Sequence, residues 1–292
     1  MAKYSIWSVE FASIRQFPEA LMIAGTVGTG TRRLPYTYTV LQGEGRTILV
    51  DVGFSYRDYA KALLDSLGVD DWQPPQVALS DVGVDPRQIT DVLITHAHFD
   101  HMGGMEFFPN ATFYLQEREL TQWVWALSVD SRLKKLHFTV NPADILGAVQ
   151  LASEGRVKLV SGDREDFFPH IDLRLAKDTH TWGSMYVVVR NDGRTVSDDT
   201  WVLAGDLVYT YENLGLVGPT PGEYTAIAAG VGGNYALLTA TDAMVKSAGG
   251  DASRVIPAHE DRLAERFPSR LTEKGLRITE IALADGVRSK VK

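Results

Sequence analysis

The densest group of side chains able to do chemistry is the segment 96–101, which reads His-Ala-His-Phe-Asp-His. Side chains alternate along an extended chain, so His96 and His98 lie on one side, where two imidazoles can bind one cation. Asp100 and His101 follow on a turn and can address a second position. A lone histidine is usually a surface or core residue, but three of the chain's seven histidines fall in this segment. The segment therefore predicts a metal site.

Side chains able to bind metal follow four of the predicted strands. They are Asp51 after 47–50, His96 after 92–95, Asp206 after 201–204 and His259 after 255–257. Open sheets place their ligand sites at such strand ends. Strands also end in polar residues because they end at the surface, which leaves each residue ambiguous when taken alone. Four together favour a site.

The composition restricts which ligands and partners are available. The chain has 292 residues and no cysteine, so disulfides, thiolate zinc sites and cysteine nucleophiles are excluded. Any metal must bind His, Asp or Glu. Twenty-nine Lys and Arg residues against 37 Asp and Glu give a formal net charge of -8, which repels polyanions. We therefore expect a small-molecule substrate and no nucleic-acid partner.

The hydropathy of the chain gives no indication of a membrane partner. The first ten residues lack the uninterrupted apolar run of a secretory signal, so the cytoplasm is the expected compartment. The longest uncharged stretch, Tyr224 to Thr241, approaches the length of a membrane span but contains glycines and threonines. It predicts a flexible loop that runs into a buried helix. The sequence leaves open whether the chain forms a homo-oligomer.

Short apolar, β-branched runs alternate with longer segments of helical spacing, which indicates a mixed α/β protein. Strands are predicted at 47–50, 92–95, 186–189, 201–204 and 255–257. Helices are predicted at 56–67, 117–127, 142–153, 236–247 and 271–284. The helix-rich stretch at about 121–156 lies between two strand groups and predicts an insertion or cap rather than a separate domain.

The motif order resembles that of the metallo-β-lactamase superfamily. Residues 96–101 match its HxHxDH signature, and His180, Asp206 and His259 follow in the order of its third histidine, bridging aspartate and last histidine. The resemblance covers roughly residues 37–260. It implies one domain over 1–292 with an αββα sandwich, in which two packed mixed sheets are flanked by helices and the site lies at one edge.

The resemblance also implies how two divalent cations are bound. Metal one takes His96, His98 and His180, metal two takes Asp100, His101 and His259, and Asp206 bridges them. Two neighbouring cations need a shared anion, and metal binding lowers the pKa of water from 15.7 to about 7. Zinc is the expected metal, while manganese, iron and cobalt also suit nitrogen and oxygen ligands.

Two further aspartates are expected to support ligands without binding metal. Asp51 resembles the strand-end aspartate of the family. Family members usually have a Pro-Gly pair before the third histidine, whereas this chain has Asp178 and Thr179. This difference changes the turn that presents His180, and we expect Asp178 to orient its imidazole. His170, the nearest alternative ligand, lacks the matching sequence context.

Residue types narrow the branch of the superfamily. The absence of cysteine excludes the β-lactamases with a cysteine ligand, and His98 stands where flavin-coupled di-iron members have an acidic residue. The acidic balance disfavours the RNA-processing nucleases. Lactonases related to N-acyl-homoserine-lactone hydrolases and thioesterases of the glyoxalase II type remain.

Tyr209 favours the lactonases, in which a tyrosine three residues after the bridging aspartate donates its phenol to the substrate. A positioned O–H stabilises the oxyanion that develops during attack on a carbonyl. The alternative is a core aromatic. The glycine-rich loop Glu212 to Gly222 follows and has the flexibility of a lid.

The sequence thus predicts a dinuclear metal-dependent hydrolase that opens a lactone or related cyclic ester. Its expected catalytic residues are Tyr209, Asp206 and Asp100. The alternatives are a glyoxalase II-like thioesterase and a binding module that keeps the fold without activity. Because fold does not determine substrate, the lactone prediction depends on Tyr209 and the resemblance.

Overall fold

The computed structural model describes residues 1–291, and at residues 58 and 59 it describes the backbone alone. The strands in this range are β1 (Tyr4–Pro18), β2 (Thr31–Gly43), β3 (Arg46–Val50), β4 (Val69–Asp70), β5 (Asp91–Leu93), β6 (Thr112–Gln116), β7 (Val157–Val160), β8 (Arg164–Phe168), β9 (Ile171–Lys177), β10 (Gly183–Arg190), β11 (Thr200–Leu203), β12 (Val255–Ile256), β13 (Ser269–Leu271) and β14 (Arg277–Ala282). The α-helices are α1 (Glu19–Met22), α2 (Asp58–Leu67), α3 (Pro75–Ala78), α4 (Phe99–Met102), α5 (Glu117–Ala126), α6 (Pro142–Ser153) and α7 (Asn234–Ser247).

The described strands form two mixed sheets. The first has the order β13-β14-β1-β2-β3-β5-β6-β7, with β4 paired to β1, and the second has the order β12-β11-β10-β9-β8. Pairing is parallel from β3 through β5 and β6 to β7, and also between β11 and β12. The remaining pairs are antiparallel. Parallel strands point their carboxyl ends to the same sheet edge, which is where the metal-binding motifs begin.

Two apolar cores explain the layering of the fold. In β3, Leu49 belongs to the core on the helix side of the first sheet, whereas Ile48 and Val50 belong to the core shared with the second sheet. Successive strand residues point to opposite faces, so one strand serves both cores. Ala240 and Met244 of α7 pack with the second sheet. The predicted αββα sandwich of two packed mixed sheets with flanking helices is confirmed.

Most predicted elements occur where the sequence pattern placed them. The helices at 56–67, 117–127, 142–153 and 236–247 are confirmed to within two residues at each end, and the five predicted strands coincide with β3, β5, β10, β11 and β12. The helix-rich stretch 121–156 contains the last part of α5, a 3₁₀ helix (Ser131–His137) and α6. These helices connect the parallel neighbours β6 and β7, so they form the crossover of a βαβ unit.

The predicted helix at 271–284 is wrong, because this stretch forms a hairpin of β13 and β14. Gly275 has a φ of 76° and closes the turn with a hydrogen bond from its N–H to the carbonyl of Thr272 at 3.0 Å. Ile278 then pairs with Val9 of β1. The β-branched residues and the pairing partner outweigh the helical spacing of the apolar residues.

The first two strands were not predicted from the sequence. The pairing of β1 with β2 shifts register between Glu10 and Ala12 and again between Ile14 and Phe17. Each shift interrupts the period-two alternation that identifies a strand in a sequence. Among the helices of residues 1–291, none is long and apolar enough to cross a bilayer.

Candidate metal centre

The structure brings the seven predicted ligands together at one edge of the sandwich. The 96–101 segment follows β5, the third histidine lies between β9 and β10, and the later aspartate and histidine follow β11 and β12. All seven side chains are buried. They form one group of His96, His98, His180 and Asp206 and a second group of Asp100, His101, His259 and Asp206. Within each group the candidate ligand atoms lie within 4.8 Å of one another.

Asp206 lies between the two groups and presents one carboxylate oxygen to each. Its Oδ2 atom lies 3.3 Å from Nε2 of His180 and 3.7 Å from Nε2 of His96. Its Oδ1 atom lies 3.0 Å from Nε2 of His101 and 3.1 Å from Nε2 of His259. One carboxylate can therefore serve two cations, as the bridging position requires.

The donor atoms fit a pair of divalent cations. Within the part of the chain that the structure describes, Nε2 of His96, Nε2 of His101 and Oδ1 of Asp206 are buried without a hydrogen-bond partner. Buried polar atoms nearly always have one, so three such atoms within the two ligand groups indicate a missing ligand. Imidazole nitrogens and carboxylate oxygens without thiolates suit zinc and other first-row divalent metals.

Electrostatics differ between the two groups. Burial lowers the pKa of His96 and His98 well below the usual value, so both imidazoles are neutral and keep a lone pair for a cation. Burial also lowers the pKa of His101. The carboxylates of Asp206, Asp100 and Asp51 outweigh this effect, so the pKa is raised well above the usual value. In the absence of metal, a protonated imidazole thus balances the buried carboxylates, a role that a cation takes over.

Asp51 supports His101 from the side away from the cluster. Its Oδ2 atom accepts a hydrogen bond from Nδ1 of His101 at 2.7 Å, and its Oδ1 atom accepts one from the backbone N–H of Thr95 at 2.7 Å. His259 has an equivalent support, because its Nδ1 donates to the carbonyl of Pro35 at 2.8 Å. When a cation is bound, the proton on Nδ1 would leave Nε2 of both imidazoles free to face it.

His180 is oriented by a backbone carbonyl, and the structure places Asp178 elsewhere. Nδ1 of His180 donates to the carbonyl of Ala229 at 3.1 Å, and its Nε2 lies 2.9 Å from Nδ1 of His98. The carboxylate of Asp178 instead accepts a hydrogen bond from Arg118 at 2.6 Å. The expectation that Asp178 orients His180 does not match this geometry, because Asp178 has a φ of 53° and its side chain reaches α5.

Tyr209 lies at the cluster. Its ring meets that of His259 edge-on at 4.9 Å and that of His180 at 5.9 Å between centroids. Burial raises the pKa of its phenol well above the usual value, and the negative charges of Asp206 and Asp100 raise it further. Tyr209 is therefore protonated at neutral pH and can donate its O–H to a developing anion.

Sequence reasoning missed several residues that surround the site. The buried ring of Tyr36 meets His259 edge-on at 5.6 Å. Glu260 accepts hydrogen bonds from the backbone N–H of Tyr211 at 2.6 Å and from Nε of Arg262 at 2.8 Å, so it joins the last ligand loop to the loop after Asp206. Adjacency to His259 was the only sequence signal for Glu260, and Tyr36 had none.

The loop predicted as a lid begins at an ion pair. In its first residue, Glu212, the Oε2 atom lies 2.6 Å from Nη2 of Arg262, and the Oε1 atom lies 3.2 Å from Nη1 of Arg32. Asn213 accepts hydrogen bonds at 2.9 Å from the backbone N–H groups of Tyr209 and Thr210. The start of the loop is thus held beside the cluster, and any lid motion belongs to the residues after it.

Comparison with known families agrees with this geometry. The family model of the metallo-β-lactamase superfamily matches residues 31–259, which is most of the chain. The matched range includes every ligand candidate. The chain belongs to the metallo-β-lactamase superfamily.

Solved structures with the same fold include several hydrolases. One is the hydrolase AbOPH of the β-lactamase superfamily, with a TM-score of 0.64, 15% identity and coverage of 98% of this chain and 99% of that chain. Another is AidC, a dizinc quorum-quenching lactonase in complex with the product N-hexanoyl-L-homoserine. Its TM-score is 0.63 at 13% identity, with coverage of 94% of this chain and 94% of that chain. A third is an N-acyl homoserine lactone hydrolase with the product N-hexanoyl-L-homoserine bound at its catalytic metal centre. Its TM-score is 0.63 at 18% identity, with coverage of 91% of this chain and 96% of that chain. At these identities the similarity shows a shared fold.

Proposed function

We propose that this protein is a lactonase, a dinuclear metal-dependent hydrolase that opens a lactone or a related cyclic ester, with zinc as the first candidate metal. The observation that carries the proposal is the buried Tyr209 side chain, whose ring packs against those of the ligand candidates His259 and His180. The fold shared with two proteins that act on N-acyl homoserine lactones supports it.

The chemistry assigns a defined task to the tyrosine. Two divalent cations would supply a nucleophile derived from water at neutral pH and polarise the ester carbonyl. In the overall reaction the acyl carbon gains a hydroxyl from water, and the ring oxygen leaves as an alcohol that takes up the remaining proton. Tyr209 donates a hydrogen bond to the carbonyl oxygen while that oxygen becomes negative. Asp206 and Asp100 would hold the metal ions that position the reacting groups.

The substitution Tyr209→Phe tests this assignment, because it removes one O–H and keeps the ring and all seven ligands. Loss of a positioned oxyanion donor lowers kcat by about 10²-fold, or roughly 2.7 kcal/mol. Metal content is expected to stay constant. The parent and the variant are assayed on a panel of lactones, thioesters, cyclic amides and phosphotriesters, and a lactone is the expected best substrate.

Tyr38→Phe is the matched control. Tyr38 is also a fully buried tyrosine, but its pKa is raised by burial alone, without a contribution from the carboxylates of the cluster. Removing the hydroxyl of Tyr38 is expected to leave kcat unchanged. If Tyr209→Phe matches the parent in kcat and KM on the best lactone, the tyrosine is structural. A thioester as best substrate would support the glyoxalase II-like alternative instead.

A further inference from the structure

Glu119 is a fully buried carboxylate outside the ligand set. It lies in the first turn of α5, two residues from the helix start at Glu117. Taking a carboxylate out of water is costly unless its oxygens accept hydrogen bonds. The position of Glu119 therefore has to be explained by the groups that it binds.

Each oxygen of Glu119 accepts two hydrogen bonds. Oε1 accepts from the backbone N–H of Ala97 at 2.8 Å and from the indole N–H of Trp123 at 2.8 Å. Oε2 accepts from the hydroxyl of Thr181 at 2.7 Å and from the backbone N–H of Gly183 at 2.6 Å. Charge-assisted hydrogen bonds of this length are among the strong ones in proteins.

These partners belong to the two segments that carry the ligands of the first metal. Ala97 stands between His96 and His98, and Thr181 directly follows His180. The two segments are far apart in the sequence, since the imidazoles of His98 and His180 that meet at 2.9 Å are separated by 82 positions. One carboxylate thus links the two segments, with one oxygen on each.

The backbone at this junction is closely packed. A Cβ at Gly183 would lie 2.4 Å from the backbone nitrogen of Glu119, so only glycine allows the third-histidine segment to approach α5 this closely. Trp123, which donates to Glu119, also packs beside His98 with 6.0 Å between ring centroids. The link therefore includes the helix, both ligand segments and one ligand ring.

The ligands of the second metal are held by other groups. His101 is supported by Asp51, and His259 by the carbonyl of Pro35. Loss of Glu119 therefore disturbs one half of the centre more than the other.

We propose that Glu119 is a positioning residue, which fixes the separation between the His96–His98 segment and the His180 turn and thereby sets the affinity of the first metal without contacting it. The proposal depends on the two-metal site and not on the lactone as substrate. Its test reads metal binding, so it can fail while the lactonase proposal holds, and the reverse is also true.

The test compares Glu119→Gln with Glu117→Gln, an exposed glutamate in the same helical turn. Glutamine keeps the size of the side chain, but in either orientation its NH₂ group faces a backbone N–H donor. Cobalt(II) affinity is measured by chelator competition in two backgrounds. His259→Ala removes a ligand of metal two and His180→Ala removes a ligand of metal one.

In the His259→Ala background, Glu119→Gln is expected to weaken cobalt binding by about 10–100-fold, the usual effect of removing a group that supports a ligand. In the His180→Ala background its effect is expected to be absent. Glu117→Gln is expected to change neither affinity. Equal weakening in both backgrounds, or none in either, would overturn the proposal.

A milder variant keeps the proposal testable if Glu119→Gln does not fold. Thr181→Val removes only the hydroxyl that donates to Oε2 of Glu119 and also contacts Ser184 at 2.7 Å. It is expected to weaken the first metal less than Glu119→Gln does, and Thr181→Ser is expected to restore the parent affinity. Thr181→Val with unchanged affinity in the His259→Ala background would also overturn the proposal.

Discussion

Asp206 is a buried carboxylate with histidines of both ligand groups around it. Burial raises the pKa of its carboxyl, but the neighbouring His101 and His259 hold the pKa well below the usual value. The carboxylate is therefore charged throughout the neutral range. A buried anion that faces both ligand groups lowers the repulsion between two cations, which neutral ligands alone do not.

Replacing Asp206 by asparagine tests this role. The Asp206→Asn side chain has the same shape but one oxygen, and its NH₂ group cannot bind a cation. We expect the affinity for the second cation to fall by more than about 100-fold, the upper range for changes that only support a ligand. Elemental analysis and turnover on the best substrate measure the effect. Asp242→Asn on α7, which is about half exposed, is the control, and a fully loaded and active Asp206→Asn protein would contradict the account.

The residue scale also shows which parts of the site a sequence can predict. His96, His98, Asp100 and His101 lie within one short segment between β5 and the end of α4, so their proximity follows from the sequence alone. The partner of Asp178 could not be predicted in this way. Its left-handed backbone and the approach of Arg118 from α5 depend on tertiary packing that local spacing does not describe.

Among the elements, the segment 229–232 has a structural task that its glycines make possible. Its backbone pairs with the turn that carries the third histidine, through Val231 N–H to the carbonyl of His180 at 3.1 Å and Gly232 N–H to that of Thr179 at 2.8 Å. A Cβ at Gly232 would lie 1.9 Å from the carbonyl oxygen of Asp178. Only glycine fits this approach, so the stretch predicted as a flexible loop is a support for His180.

Gly232→Ala is therefore expected to separate the two segments and remove the Ala229 carbonyl from Nδ1 of His180. Overpacking of this kind costs about 1–3 kcal/mol in the free energy of unfolding. We also expect weaker binding of the first cation. Gly233→Ala is the matched control, because a Cβ at Gly233 has nothing within 4 Å. Chemical denaturation and cobalt titration compare the two variants, and equal behaviour of both would show that the close approach is unimportant.

Element prediction succeeded where local pattern and tertiary contacts agree and failed where pairing decides. The helix α6 begins at Pro142 after the N-cap Asn141, whose side chain accepts from the N–H of Ala143, and these signals are local. The C-terminal hairpin has a helical spacing of apolar residues, but β14 pairs with the edge of β1. Since β1 itself lacks a clean alternation, the sequence did not show that β1 is a strand with which β14 could pair.

For the whole molecule, the metal centre joins the two sheets. The 96–101 segment follows β5 of the first sheet, whereas Asp206 and His259 follow β11 and β12 of the second. The order of ligand types along the chain was enough to predict this arrangement through the family resemblance. Asp51 was predicted as a support through the resemblance, but Glu119 was not, because it looks in the sequence like any acidic residue in a first helical turn.

The two ligand groups that share Asp206 imply that one chain binds two divalent cations. Elemental analysis of protein that has been stripped with a chelator, reloaded with zinc and freed of excess metal tests it most directly. Two equivalents per chain are expected for the parent protein and one for His259→Ala, which keeps the first group intact. A reproducible maximum of one equivalent for the parent, unchanged in His259→Ala, would contradict it.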